Sequence, residues 1–196
     1  MKYAMIATWV MARYAIEEGN ELLLKNGDAA DAIETAIKMV EDYPYYKSVG
    51  YGGLPNERGE VELDGAFMDG KTLSIGAVAG VKQVKNPISV ARLLSQYRFN
   101  NILVGKGAEE YAFNHGFEPV DMLTDRAKQH YEKRLKDMKE KNLSAYDGHD
   151  TVGMVALDQS GHMCAGTSTS GLFMKKPGRV GDSPFIGSGF YVDEKV

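Results

Sequence analysis

Apolar positions along the chain come in two forms, short continuous runs and stripes at helical spacing. AMIATWV, residues 4 to 10, is a run that predicts a buried strand, and Met11, Tyr14, Ala15, Leu22 and Leu23 follow close to a helical repeat. Asn26-Gly27 ends that helix. Asp28 caps the next, in which Ala29, Ile33, Ala36, Ile37 and Val40 form one apolar stripe. An aromatic and glycine-rich stretch, YPYYKSVGYGG at 43 to 53, and the turn-like PNERG at 55 to 59 separate this helix from two further apolar runs. Those runs, 61 to 69 and 73 to 81, have the length of core strands.

The pattern then becomes helical again. NPISVARLLSQY predicts a helix entered through Pro87, because proline in the first turn sacrifices no intrahelical hydrogen bond. NNILVGKGAEEYAFNHG reads as a strand turning through Gly105 and Gly107 into a short helix. Its VGKGA lacks the spacing and the closing Lys-Ser/Thr of a phosphate-binding loop. Residues 121 to 150 carry seven basic and seven acidic side chains, with Ala127, Tyr131, Leu135 and Met138 as a narrow stripe. That combination predicts a solvated helix and then an exposed connection, NLSAYDGHD. From Val152 the chain is core-like once more: TVGMVALD, the turn DQSG and HMCAGTSTSG predict a hairpin over 151 to 171.

Composition narrows the function classes. The 196 residues, 43% of them hydrophobic, are enough to bury a sizeable core, and 23 basic against 27 acidic side chains leave a formal charge of -4. Such a balance gives no general attraction to nucleic acid or to an anionic membrane. The single cysteine, Cys164, excludes an intrachain disulfide and a multi-cysteine metal cluster, and reads as a small buried hydrophobe, with a free reactive thiol as the other reading. The N-terminal stretch is too short and too soon charged for a membrane span, so a cytoplasmic protein is the expectation.

The informative stretch is GHDTVGMVALD, residues 148 to 158, where Thr151 follows His149 and Asp150 directly and leads into an apolar segment. One reading is a turn entering a buried strand. The other is that the Asp150-Thr151 bond is itself a substrate. Cutting it would free an α-amine with a reference pKa of about 7.7 to 8.0, close enough to neutrality to take a proton from the threonine hydroxyl. One residue would then supply nucleophile and base. The hydroxyl could also perform the cut, by attacking the Asp150 carbonyl to give an ester that water hydrolyses, provided donors stabilise the oxyanion. Spacing alone leaves both readings open and leans toward the structural one.

GHDTVGMVALD, GTSTSG (166 to 171) and GRVGDSPFIGSG (178 to 189) resemble the processing site and substrate-binding segments of glycosylasparaginases, amino-terminal-nucleophile hydrolases of the asparaginase type. GGLPNERGEVELDGAFMDG (52 to 70), KNPISVAR (85 to 92) and ILVGKGAEEYA (102 to 112) resemble earlier segments of the same family, so the likeness runs almost from end to end. The resemblance implies an α/β fold (α+β), a four-layer αββα sandwich, in one domain whose α-chain portion is 1 to 150 and whose β-chain portion begins at 151. It makes Thr151 the nucleophile and autocleavage site, and Asp150 the last residue of the α chain. It makes Thr169 the group that orients or activates the Thr151 hydroxyl, and gives His149 a part in shaping the bond to be cut. Arg179 and Asp182 are expected to hold the α-carboxylate and α-amino group of the substrate, and Trp9 to line the pocket. A planar guanidinium suits a carboxylate, and an aspartate can pair with an ammonium.

The implied reaction is hydrolysis of the side-chain amide of N4-(β-N-acetylglucosaminyl)-L-asparagine through a threonine β-aspartyl ester, without a metal or other cofactor, in a homodimer of αβ units. His115, His130, His149 and His162 show no ligand spacing along the chain. An isoaspartyl peptidase or L-asparaginase of the same fold is the alternative enzyme. Lys106 and Met11 depart from the usual family residues. Only 46 residues follow the candidate cut, and the family's glycine-rich continuation with its Thr-Gly pair would come after them. A noncatalytic homologue serving as a binding or assembly module is therefore the non-enzyme expectation.

Overall fold

The computed structural model describes residues 2–141 and 150–195, so His149 and the connection before it lie outside the described residues. Strand β1 (Ala4–Ala7) is followed by a short 3-10 turn (Val10–Ala12), then helices α1 (Arg13–Leu24) and α2 (Ala29–Asp42). Strands β2 (Leu63–Asp69) and β3 (Ile75–Val81) form a hairpin, and helix α3 (Pro87–Leu94) leads to β4 (Ile102–Val104). Helices α4 (Gly105–Asn114) and α5 (Asp125–Lys141) follow, and strands β5 (Val152–Leu157) and β6 (Met163–Thr169) complete the order.

The expected first strand is shorter and more exposed than its apolar run implies. It stops at Ala7, before Trp9, and its side chains alternate between half-buried and exposed. Among the described residues β1 pairs with β5 alone, and Ile6, opposite Val155, lies on the face that the helices do not cover, where it is exposed. Asp28 caps α2 as expected, its carboxylate accepting from the Ala30 amide at 2.6 Å. Pro87 stands in the first turn of α3. Helix α5 buries only Ala127 fully, and its Tyr131 hydroxyl donates to the Glu57 carbonyl at 3.0 Å.

Among the described residues, six strands form one mixed sheet in the order β1-β5-β6-β2-β3-β4. Every pairing is antiparallel except β3 with β4, which α3 connects. The β5–β6 hairpin lies inside the sheet, held between β1 and β2, so the segments on either side of the Asp150-Thr151 bond build one sheet together.

Helices cover one face of that sheet. Ile33, Ile37 and Val40 of α2 pack with Ala15 and Leu23 of α1 onto Val152, Met154 and Ala156 of β5 and Phe67 of β2. A second cluster joins α3 and α4 to β2 and β3 through Leu63, Val78, Val90, Leu94 and Ala108. Gly166 in β6 sets the approach of α2 and α3, because a Cβ there would lie 2.7 Å from Ile33 and 2.9 Å from Ile37 and Ile88. The opposite face carries a smaller hydrophobic cluster, in which Met68, Ala165 and Val192 are buried and Ile75, Val155, Met163 and Phe190 lie beside them. Among the described residues the architecture is therefore a mixed sheet with its helices packed on one side. No helix among them is long and apolar enough to cross a membrane.

Candidate active site

Thr151 immediately precedes β5, and three side chains from separate parts of the fold fix its surroundings. Its Oγ1 lies 2.8 Å from Oγ of Ser183, a buried residue of the loop that follows β6. Its carbonyl accepts from the Thr8 hydroxyl at 2.7 Å, and that same hydroxyl accepts from the Gly153 amide at 2.9 Å. Thr8 thereby joins the end of β1 to the start of β5. The Thr169 hydroxyl, at the end of β6, donates toward the Asp150 carbonyl at 3.4 Å and the Ser48 carbonyl at 3.2 Å, and accepts from the Gly171 amide at 2.9 Å. The two hydroxyls thus occupy different places: Ser183 meets the Thr151 hydroxyl oxygen, and Thr169 meets the carbonyl oxygen of the bond before it.

Ser183 owes its position to the sheet. Its own carbonyl accepts from the Thr167 hydroxyl at 2.7 Å, two residues before Thr169 on the same face of β6. Sequence reasoning quoted this serine within GDSP without assigning it a part, and Thr8 and Ser48 were likewise unassigned. Nothing in their spacing along the chain links positions 8, 48, 151, 169 and 183. The register of β1 and β6 about β5 brings them together.

Arg179 is half-buried, its guanidinium against the backbone of the loop that carries it: a Cβ on Gly181 would lie 2.9 Å from Nη1, and one on Gly171 3.6 Å. Glu62 anchors this loop, its carboxylate accepting from the Gly178 amide at 3.1 and 3.2 Å. Gly178 has φ 77°, a left-handed conformation that glycine adopts without strain. Behind the loop lie more buried charges. Lys175 Nζ donates to the Glu62 carbonyl at 3.3 Å and stands 3.9 Å from its carboxylate. Asp64, fully buried and paired in register with Thr169, takes the Gly80 amide at 2.9 Å on one oxygen. Burial pushes the Asp64 carboxyl above its usual range, with the Lys175 ammonium and the Gly80 amide opposing. Burial likewise pulls Lys175 below its usual range, against the pull of Asp64 and Glu62.

Asp182 is exposed, its carbonyl closing a turn by accepting from the Phe185 amide at 2.9 Å. Trp9, directly after Thr8, is 58% exposed and holds φ 63°, a strained conformation for a bulky side chain. A groove of about 190 Å³ on the open face of the sheet is lined by Thr8, Gly153, Val155, Thr167 and Tyr191. Two larger concavities, of about 420 and 430 Å³, centre on Lys82 and Glu109 instead. The second touches Gly178 and Val180 on either side of Arg179. Neither of these concavities touches Thr151.

A mixed sheet with helices on one side, and a threonine at a strand entrance whose own oxygen and preceding carbonyl each meet a hydroxyl, agree with an amino-terminal-nucleophile hydrolase arrangement. Comparison with known families makes the assignment specific: residues 7–196 match the asparaginase family, and the chain belongs to it. It is 41% identical over 195 residues to an N(4)-(β-N-acetylglucosaminyl)-L-asparaginase of Elizabethkingia miricola, covering 100% of this chain and 57% of that protein. It is 40% identical over 185 residues to the mouse isoaspartyl peptidase/L-asparaginase, covering 93% and 56% respectively. A plant-type L-asparaginase of Thermococcus kodakarensis is 42% identical over 184 residues, with 87% and 60% covered. The chain spans less than two thirds of the length of these relatives.

Proposed function

We propose that the protein is an amidohydrolase that first cuts its own Asp150-Thr151 bond and then uses Thr151 to hydrolyse the side-chain amide of an asparagine derivative. The observation that carries this reading is the pair of hydroxyl contacts at the junction, Ser183 at 2.8 Å from the Thr151 oxygen and Thr169 at 3.4 Å from the Asp150 carbonyl oxygen. In the first reaction Thr151 Oγ1 adds to the Asp150 carbonyl carbon, and the developing oxyanion faces the Thr169 hydroxyl. The C–N bond breaks, and the hydroxyl proton ends on the departing Thr151 nitrogen. Water hydrolyses the resulting ester to an Asp150 carboxylate and a free Thr151 hydroxyl and α-amine.

That amine is the base of the second reaction, since its reference pKa of about 7.7 to 8.0 lets it take the hydroxyl proton near neutrality. Thr151 attacks the substrate's side-chain carbonyl, a β-aspartyl ester forms, and the amine leaves with the proton; water then releases aspartate. Arg179 pairs with the α-carboxylate and Asp182 with the α-ammonium of the substrate, and Trp9 flanks the pocket. The GHDT sequence favours N4-(β-N-acetylglucosaminyl)-L-asparagine as substrate, for which the leaving amine is a glycosylamine. Identities of 41%, 40% and 42% to relatives of different name do not discriminate among substrates. Side-by-side turnover of the glycosylasparagine and a β-aspartyl dipeptide does, and faster dipeptide hydrolysis would move the assignment to the isoaspartyl peptidases.

In the whole protein a second sheet packs on the face away from the helices, giving the four-layer αββα sandwich, and two αβ units associate as a homodimer. Exposed Ile6 and Tyr191 on that side support the first statement; the second rests on the family resemblance. The deciding experiment is intact mass against time for the protein and its Thr151→Ala variant, with N-terminal sequencing of any product. Cleavage after Asp150 in the first and not in the second is the expected result. An uncut bond and no amide hydrolysis in the complete protein would leave a noncatalytic binding or assembly module as the better reading.

A further inference from the structure

A second cluster of reactive side chains lies at the other end of β6. His162 immediately precedes that strand, so along its roughly 3.3 Å rise per residue it stands about 23 Å from Thr169. Its ring meets carboxylates from four separate segments. Nε2 is 2.9 Å from Oδ2 of Asp69 and 3.9 Å from Oε1 of Glu194; Nδ1 is 3.4 Å from Oδ2 of Asp28 and 3.9 Å from Oδ2 of Asp158. Cys164 Sγ lies 3.7 Å from Nε2. Asp69 and Cys164 are directly opposed across the β2–β6 ladder, so their side chains share a face, and His162, two residues before Cys164, points the same way. The Cys164 sulfur, a His162 ring nitrogen and an Asp69 carboxylate oxygen all lie within 4.8 Å of one another.

These donors are oriented before any ion arrives. Asp69 Oδ1 is engaged by the Lys71 and Thr72 amides and the Thr72 hydroxyl, which leaves Oδ2 facing His162. Asp28 Oδ1 caps α2, which leaves its Oδ2 facing the other ring nitrogen. Asp158 Oδ1 takes the Ser160 amide and hydroxyl and the His162 amide. The charge is unbalanced: four carboxylates surround one imidazole. Arg92, the basic group felt at Cys164, is itself paired with Asp31 and Glu34 at 2.7 Å each.

We propose that Asp69, His162 and Cys164 are the protein ligands of a divalent transition-metal site of the zinc type, with Asp28 as the carboxylate that holds the second ring nitrogen. Sulfur, imidazole and carboxylate donors together select zinc or cobalt over magnesium or calcium. Bonds of about 2.0 to 2.3 Å in a tetrahedron separate neighbouring donors by about 3.3 to 3.7 Å. The Sγ to Nε2 distance of 3.7 Å already meets that, and the 2.9 Å contact of Nε2 with Asp69 has only to open by a few tenths of an ångström. The ion replaces the thiol proton of Cys164 and the proton on Nε2, so both are released to solvent and binding strengthens as pH rises. The 3.4 Å approach of Nδ1 to the Asp28 carboxylate is the kind of contact that fixes ring orientation in such sites. Water fills the fourth position, with Glu194 as the nearest further carboxylate. His162 and Asp69, 18% and 21% exposed at the side chain, give an ion access to a buried sulfur. The bound metal would tie the start of α2 to β2 and β6, independently of any chemistry at Thr151.

The test is titration of metal-stripped protein with Co(II). One equivalent should give intense four-coordinate visible bands and a near-ultraviolet thiolate-to-cobalt band, both displaced by Zn(II). Cys164→Ser should lose the thiolate band, His162→Asn should weaken binding by more than about 10-fold and Asp28→Asn by about 10-fold, and Thr151→Ala should bind as the parent does. Circular dichroism checks that each variant folds. Should the buried Cys164→Ser not fold, Asp69→Asn and His162→Asn, both at partly exposed positions, make the same test. A weak six-coordinate spectrum, a thiolate band that survives in Cys164→Ser, or no binding by the parent protein overturns the proposal.

Discussion

At Thr151 the contacts differ by which hydroxyl meets which oxygen. Ser183 contacts the proposed nucleophile and Thr169 the carbonyl it would attack, so removal of each has its own expected effect. Thr169→Val keeps the branched shape and deletes a donor to the developing oxyanion; cleavage at Asp150-Thr151 should slow by about 10² to 10³-fold. Ser183→Ala frees the Thr151 rotamer and should slow the same step on the order of 10²-fold. Product mass against time measures both, and a rate equal to the parent's in either variant removes that residue from the mechanism. Glu41 illustrates a different residue-scale effect. It is fully buried, takes the Ile88 amide and the Asn86 side-chain amide at 3.1 Å each, and burial pushes its carboxyl up from 4.5 to about 8. Ser168, close enough to bias that titration, does not reach hydrogen-bond geometry in its own right. A carboxyl with a raised folded pKa binds its proton more tightly folded than unfolded, so the stability it contributes is present below about 4.5 and is lost as pH rises toward about 8. Glu41→Gln should therefore flatten the fall in Tm between pH 5 and 8. An unchanged slope would mean that the carboxylate is tolerated as a charge.

Helix α2 is the element that most clearly follows from its own sequence. The stripe through Ile33, Ile37 and Val40 is buried against β5 and β6, and Asp28 caps its first turn. Ile33→Ala should lower unfolding free energy by about 2 to 5 kcal/mol, read by denaturant titration, because Gly166 beneath it has no side chain with which to fill the space. A loss under about 1 kcal/mol would mean that the layer collapses to fill the gap. Strand β1 shows the opposite case. Its run AMIATWV reads as buried, yet an apolar run does not reveal whether a strand has one neighbour or two. Nor does it reveal which face is covered: Ile6, opposite Val155, lies on the side away from the helices and is exposed.

For the whole molecule, the main consequence of the topology is that the candidate cut falls inside a single sheet. Strands β5 and β6 follow the Asp150-Thr151 bond and lie between β1 and β2, which precede it. The two products of cleavage should therefore remain associated, eluting together in native size exclusion and separating only in denaturant. Their separation without denaturant would show that the backbone pairings of β1 with β5 and of β2 with β6 do not hold the products together.

The order of strands and helices, the cap at Asp28 and the hairpin over 151 to 171 were all legible along the chain, since each depends on neighbours a few residues apart. Family motifs added Thr169, Arg179 and Asp182 as candidates. Ser183, Thr8 and Ser48 were not legible as partners, nor were Glu62, Asp64 and Lys175 behind the Arg179 loop, because serines, threonines and charges at those spacings carry no periodic signal. Likewise, Asp69, His162 and Cys164 have no ligand spacing in the sequence and become neighbours only through the register of β2 with β6. Local patterns are written in side-chain periodicity, which the sequence holds on its own. Which polar group faces which is decided by strand pairing over long separations, and only the tertiary structure specifies it.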